Sequence, residues 1–371
     1  MTRQEYLSEV LNADLPQQVR ADIAGEQRRF EEKRGADQPR HVLLIGGAGY
    51  IGAPVASALL DAGYHVRNMD VLAYPTAHST TPLMLRDNYS FMRGDLCDLN
   101  ALDSALEGVT DVVVLGGLVG DPITKKFPDV SNRINLEGLG ACLDHLSGKG
   151  LDRVLFVSTC SNYGLMEDGK LADETSSLKP LSLYAEAKVA MEKKLLGLKG
   201  SVDFSPTVLR FATAFGFAPR MRFDLTVNEF TRDIFLDKDL LVYDADTWRP
   251  YCHVRDFARL IRRVLELPAE RTAFEVFNAG GDANNHTKQS LIDIITARLP
   301  SDKISYKEHG TDPRNYRVNF AKVHETLLFE PKWTVESGVE ELIVILKLGL
   351  FEDYDDFRNF YGNYDLPPSL R

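Results

Sequence analysis

The chain has 371 residues, 44% of them hydrophobic and 26% charged, with a formal net charge of −11 at pH 7. That length suits two lobes sharing a cleft, and the acidic balance argues against a nucleic-acid partner, which clustered Lys and Arg would have to hold. No apolar run approaches the roughly 18–20 residues that span a bilayer, and Cys97, Cys142, Cys160 and Cys252 are scattered without CxxC spacing, so neither a membrane span, a disulfide framework nor a metal site is expected.

In chain order, residues 1–40 form a compositional unit of their own. Tyr6, Val10, Leu11, Leu15, Val19 and Ile23 recur at roughly helical spacing among charged residues, which predicts a helical arm packed on the body of the protein or on a second subunit. The polar start, with Arg3, Glu5 and Glu9, lacks the basic-then-apolar layout of a secretion signal. Reduced thiols and that start make the cytoplasm the expected setting.

From His41 the pattern changes. The apolar run Val42-Leu43-Leu44-Ile45 meets a glycine cluster, and a helical stretch follows over 53–62, closed by Gly63. Further strands are predicted over 65–70, up to Gly94-Asp95, over 111–115 and over 153–157, with helical segments between most of them. Their apolar positions are nearly continuous, as in strands buried on both faces of a parallel sheet. This alternation predicts an α/β fold, a Rossmann-type doubly wound parallel sheet spanning 41–213. After Phe211 the rhythm breaks into loops, an extended segment at 240–243 and helices near 254–267 and 287–299. A smaller mixed α/β lobe over 214–371 is expected, with the chain crossing back to the sheet at least once.

The segment Gly46-Gly47-Ala48-Gly49-Tyr50-Ile51-Gly52 sets glycines at G-x-x-G-x-x-G spacing between a strand and a helix. Glycine permits the turn and lets backbone amides approach a pyrophosphate, which the helix N-terminus then favours. Asp70, ending the second strand, suits a ribose diol and repels a 2′-phosphate, which favours NAD over NADP; Arg67 nearby leaves the phosphorylated cofactor open. Asp95 and Leu96 would lie beside the adenine, and Leu115, Gly116 and Gly117 at the end of the fourth strand would keep the cofactor crevice open.

Tyr184-Ala-Glu-Ala-Lys188 opens a helix, and the four-residue spacing puts the phenol and the ammonium on one face. A phenol with a reference pKa of about 10 needs neighbouring positive charge to work as an acid–base group near neutrality, and Lys188 with a cationic nicotinamide would supply it. Upstream, a buried strand runs into Ser158-Thr159-Cys160-Ser161-Asn162-Tyr163-Gly164, so a hydroxyl cluster ends at the ligand-facing edge of the sheet. Thr159 and Ser161 are the candidates to hold a substrate oxygen.

In this order, the glycine loop, Asp70, Gly94-Asp95, Ser158-Thr159 with Tyr163-Gly164, and Tyr184 with Lys188 resemble the extended short-chain dehydrogenase/reductase superfamily. The best-fitting branch is its NAD-dependent epimerase/dehydratase branch, which handles nucleotide sugars. Arg249-Pro250-Tyr251-Cys252-His253-Val254-Arg255-Asp256 is similar to that branch's Arg-x-x-x-His-Val-x-Asp segment, so the resemblance runs from about residue 41 to nearly the C-terminus. It implies Tyr184, Lys188 and Thr159 as the catalytic trio, Phe211 beside nicotinamide, Thr213 on substrate and Arg249 on the sugar-nucleotide phosphates. Asn135 would support the site, His253 and Asp256 would be structural, and a homodimer is the family's usual assembly.

Departures narrow the reaction. Where dehydratases of the branch carry two acids after the catalytic Thr, this chain has Cys160 and Ser161, which disfavours water elimination. The fourth strand ends Val114-Leu115-Gly116-Gly117 rather than His-Leu-Ala-Ala, unlike the common 4-epimerase. Near His309-Gly310-Thr311-Asp312-Pro313-Arg314, Arg314 would take the role of an Arg that relatives place before Gly-Asp. In the stretch from Pro219 to Asn228, Arg220 and Arg222 would supply a cationic field, with Arg222 and Asn228 as substrate contacts. The leading expectation is an epimerase acting on a nucleotide-diphosphate sugar through a transient keto-sugar. A keto-sugar nucleotide reductase or dehydrogenase with exchangeable cofactor uses the same residues, and a non-catalytic binding protein on the same fold is the third reading.

Overall fold

The computed structural model describes residues 12–35, 38–74, 77–167, 169–308, 312 and 314–370. Of the expected arm, Tyr6, Val10 and Leu11 lie outside these residues, as do His309, Gly310, Thr311 and Pro313 of the later loop. Helix α1 (Gln17–Arg34) buries Val19, Ile23 and Phe30, and its Glu26 sits 2.6 Å from the buried guanidinium of Arg153. No helix among the described residues is long and apolar enough to cross a membrane.

The centre is a seven-stranded sheet. Its strands are β1 (His41–Ile45), β2 (His65–Asp70), β3 (Tyr89–Arg93), β4 (Asp111–Val114), β5 (Arg153–Thr159), β6 (Ser205–Phe211) and, after an excursion of the chain, β10 (Glu275–Ala279). They run in the order β10-β6-β5-β4-β1-β2-β3, and every pairing is parallel. This is the doubly wound Rossmann-type α/β fold that the strand–helix rhythm predicts. The burial pattern gives the physical reason: Val42, Leu43, Leu44 and Ile45, like Val112, Val113 and Val114, are all buried, so successive side chains meet helices on both faces. Helix α2 (Gly52–Asp61) packs on one face with α8 (Val254–Glu266), while α3 (Leu99–Leu106), α5 (Leu139–His145) and α6 (Leu183–Gly197) cover the other, and the short α4 (Asp121–Lys126) packs on α6.

The excursion before β10 builds the second cluster of structure. Strand β7 (Thr213–Phe215) pairs in parallel with β9 (Trp248–His253), and β8 (Leu240–Tyr243) pairs with the strand Ile304–Lys307. Helix α7 (Thr226–Phe235) packs against Val335–Lys347 around Phe223, Val227, Leu342 and Tyr354. His253 and Asp256 knit this region internally. The imidazole is 2.8 Å from Glu341, and the Asp256 carboxylate accepts the backbone N–H groups of Lys332 and Trp333.

Register decides where ligands can sit. Thr159 is level with Phe211, and Phe211 with Ala279, so the carboxyl ends of β5, β6 and β10 form one ledge. Ile45 is level with Val114 and Met69, which brings the turns after β1, β2 and β4 to the same edge. The crevice outside the carboxyl ends of such a sheet is where ligands bind.

Candidate active site

One large cleft, about 730 Å3, lies along that edge and is closed on its far side by the second cluster. The glycine loop forms its floor. Gly46 has φ 83°, and a Cβ there would fall 2.5 Å from Gly116 Cα, while one on Gly52 would fall 2.4 Å from the Gly47 carbonyl. These two glycines are fixed by close backbone approach. Gly49 differs: a Cβ there would meet nothing nearer than 3.6 Å, so the packing of the chain alone does not demand glycine, and its open side leaves room for a diphosphate over the N-terminus of α2. Tyr50, Ile51 and Gly52 continue the lining.

Asp70 stands at the end of β2 with its Oδ2 accepting from Ala48 N at 3.0 Å and its Oδ1 from Leu72 N at 2.8 Å. Burial pushes its carboxyl up, and the two backbone donors and Arg220 oppose that. Arg67 is directed elsewhere, donating to the carbonyls of Ala105 and Glu107. Asp95, Leu96, Leu115, Gly116 and Gly117 line the neighbouring wall. Asn135 clamps the turn after β4, accepting from Leu118 N at 2.8 Å and donating to Leu118 O at 2.9 Å.

Tyr184 and Lys188 come from the first turns of α6, which Ser182 caps by accepting from Ala185 N. Both line the cleft together with Thr159, Ser161, Phe211 and Thr213. The Lys188 Nζ donates to Val157 O at 2.7 Å and lies 5.8 Å from the Tyr184 ring centroid. Burial lowers the ammonium to about 8, against an opposing pull from Glu192. Around the phenol, burial and charges of both signs compete. Burial raises its pKa, the Asp121 carboxylate raises it further, and Arg222 and Arg314 only partly offset them. Desolvation disfavours the phenolate, and a cation brought beside the ring would favour it.

Behind the trio lies a buried polar network that sequence reasoning missed. Glu192, one turn beyond Lys188, accepts from Ser158 Oγ at 2.5 Å, from Asn162 at 2.8 Å and from Arg210 through two nitrogens. Arg210 also donates to Tyr163 Oη, which donates to Asn278. The network fixes β5, its following turn and α6 relative to one another. Cys160 turns away from the cleft into the core, its Sγ donating to Arg210 O, and burial pushes its thiol up, so no acid–base group stands in the first position after Thr159.

The opposite wall is cationic. Arg249, on β9, lies 3.1 Å from Asp312, yet its buried Nη2 has no aligned hydrogen-bond partner. Arg314 binds Asp312 through two nitrogens at 2.7 Å and reaches Asp121 at 2.6 Å. Arg222 is paired with Asp224 at 2.6 Å. Asn228 is not part of the lining: it is wholly buried, accepts from Gly216 N and donates to Tyr50 Oη and Arg222 O. Its amide is spent joining the second cluster to the glycine loop, which corrects the expectation of a substrate contact. Asp121, Arg220, Tyr251, Lys288, Asn363 and Tyr364 also line the cleft. Asp121 and Arg220 adjoin motifs that the sequence displays, whereas nothing in the sequence marks Asn363 or Tyr364.

The model of the NAD dependent epimerase/dehydratase family matches residues 42–280, more than half of the chain. Among curated proteins, an uncharacterized UDP-glucose epimerase of Bacillus subtilis is 28% identical over 316 residues, 82% of this chain and 97% of its own length. A low-salt glycan biosynthesis protein of Haloferax volcanii is 28% identical, covering 81% of this chain and 97% of its own. Among solved structures, the UDP-glucose 4-epimerase of Thermotoga maritima with UDP-glucose superposes with a TM-score of 0.75 at 24% identity, over 84% of this chain and 99% of its own. A dTDP-glucose 4,6-dehydratase of Streptomyces venezuelae with NAD bound gives 0.76 at 22% identity, over 86% and 99%.

Proposed function

The chain belongs to the NAD dependent epimerase/dehydratase family, and on that premise we propose that it is an NAD-dependent epimerase of a nucleoside-diphosphate sugar. The observation that carries the reading is the convergence of Tyr184, Lys188 and Thr159 in one cleft with the glycine loop, Arg249 and Arg314. Cys160 and Ser161, in place of an acid pair, support epimerisation over water elimination.

The residues fit the cofactor. The open side of Gly49, the Asp70 carboxylate at the strand end and the diversion of Arg67 to backbone carbonyls suit an adenosine ribose without a 2′-phosphate. When bound, NAD supplies a hydride acceptor and, in its oxidised form, a positive charge near the phenol. With that charge beside it, Tyr184 would release its own proton, and as the phenolate it would take the proton of the sugar hydroxyl and later return it. Thr159, whose Oγ1 accepts from Ser161 N at 3.1 Å, has its hydroxyl hydrogen free to orient the same oxygen. Lys188 adds charge next to the phenol while it remains protonated. Arg249 and Arg314 hold the diphosphate, a bidentate task for which guanidinium is suited. A paired assembly of two chains and a cytoplasmic setting accompany this reading.

The test is mass spectrometry of what the purified full-length protein releases on denaturation. Retained NAD+ and a nucleotide sugar are the expected products. A protein that exchanges NADH or NADPH freely with solvent would instead favour the keto-sugar reductase, and one that binds none of these would overturn the proposal.

A further inference from the structure

Asp121 occupies the point where the two walls of the cleft meet. It follows the Gly116-Gly117 turn and opens the short helix Asp121–Lys126. Its Oδ1 accepts from Ser182 Oγ at 2.6 Å, and the same Oγ caps the helix that carries Tyr184 and Lys188. Its Oδ2 is 2.6 Å from Arg314 Nη1 on the opposite wall. Asp121 is thus tied both to the acid–base helix and, across the cleft, to an arginine of the second cluster.

At this end Asp121 and Asp312 face Arg249 and Arg314, with Lys288 on the same lining. An entering diphosphate brings new negative charge and competes with the two carboxylates for the guanidinium groups. Asp312 is the better held, by two nitrogens of Arg314 and by the proximity of Arg249. Asp121 has a single arginine contact and a second donor, Ser182, to stay with. Arg249 Nη2 is buried and lies 3.1 Å from Asp312 Oδ2 without hydrogen-bond alignment, so an entering acceptor competes with that carboxylate as well.

We propose that Asp121 is a substrate-positioning residue that changes partner on binding: Arg314 leaves it for the diphosphate, and its freed oxygen accepts a hydrogen bond from a sugar hydroxyl beside Tyr184. This rests on the nucleotide-sugar reading above. The exchange makes the sugar contact conditional on a correctly seated diphosphate. It also places a carboxylate beside the phenol from a different strand end than the one that carries the acid pair of dehydratases.

The test is calorimetric titration of the NAD+-loaded full chain, and of its Asp121→Asn and Asp121→Ala variants, with UDP against UDP-glucose and dTDP against dTDP-glucose. Removing the carboxylate frees Arg314, so both variants are expected to bind the bare diphosphates more tightly. In Asp121→Ala the advantage of the sugar nucleotide over the bare diphosphate falls about tenfold, the scale of one hydrogen bond to a charged group. Asp121→Asn keeps the side-chain size, and its tighter diphosphate binding alone supports the exchange should the alanine variant not fold. Equal weakening of both ligands, or no change in either, would overturn the proposal. If the unmodified chain binds neither pair while retaining NAD+, the nucleotide-sugar reading itself fails, and this inference with it.

Discussion

Replacing Lys188 with Met separates what the protein needs from what its fold prefers. The lysine is 6% exposed, with its Nζ on Val157 O and 4.6 Å from the Phe156 ring centroid. Burial lowers it from 10.5 to about 8, so between those values the unfolded chain binds a proton that the native chain does not. Stability therefore rises with pH across that window. Below it the folded protein carries the full penalty of a buried ammonium, about 3 kcal/mol from the size of the lowering. The penalty shrinks to under about 1 kcal/mol near pH 10, where the unfolded chain also begins to lose the proton. Methionine has similar length and no charge, and its packing effect is the same at either pH. Urea unfolding of parent and variant at about pH 7 and about pH 10 should show the variant gaining roughly 2 kcal/mol relative to the parent at the lower pH. Activity should fall at least about a hundredfold, because the phenol loses its nearest positive charge. A stability difference that is the same at both pH values would refute the claim that burial penalises the ammonium.

Three further outcomes follow from the same geometry. Tyr184→Phe should reduce kcat by about a thousandfold, within the usual range for a lost acid–base group, while calorimetry finds NAD+ affinity unchanged. Asp70→Ala should weaken NAD+ by about ten- to a hundredfold, the loss of charged hydrogen bonds to a ribose, and raise NADP+ affinity relative to NAD+; unchanged selectivity would remove Asp70 from the ribose site. Glu192→Ala leaves Arg210 buried without its carboxylate and should cost about 3–5 kcal/mol in urea unfolding; a cost under about 1 kcal/mol would mean the buried pair does not hold β5 and α6 together.

The parts of this molecule legible in the sequence are those whose physics is local. A glycine loop between an apolar strand and a helix, an acid at the next strand end, and a Tyr and Lys one helical turn apart each fit within a few residues. A doubly wound sheet follows from their alternation. Asn228 is expected on substrate because it ends the stretch that carries Arg220 and Arg222, and nearness in sequence does not tell whether its amide is already spent on Gly216, Tyr50 and Arg222. The Asp121–Arg314 pair joins segments far apart in the chain and leaves no periodic trace. The phenol's raised pKa was unreadable for a related reason. Spacing reveals that Lys188 is near, but only the packed structure shows the burial of the ring and the Asp121 carboxylate that raise its pKa.

Epimerisation is measured by incubating the protein with UDP- and dTDP-hexoses and following the sugar by nuclear magnetic resonance and the nicotinamide by absorbance. Two epimers of one nucleotide sugar should interconvert, with no net accumulation of NADH and with activity lost in Tyr184→Phe. Stoichiometric reduction or oxidation of added nicotinamide, or epimerisation that survives loss of the phenol, would contradict it.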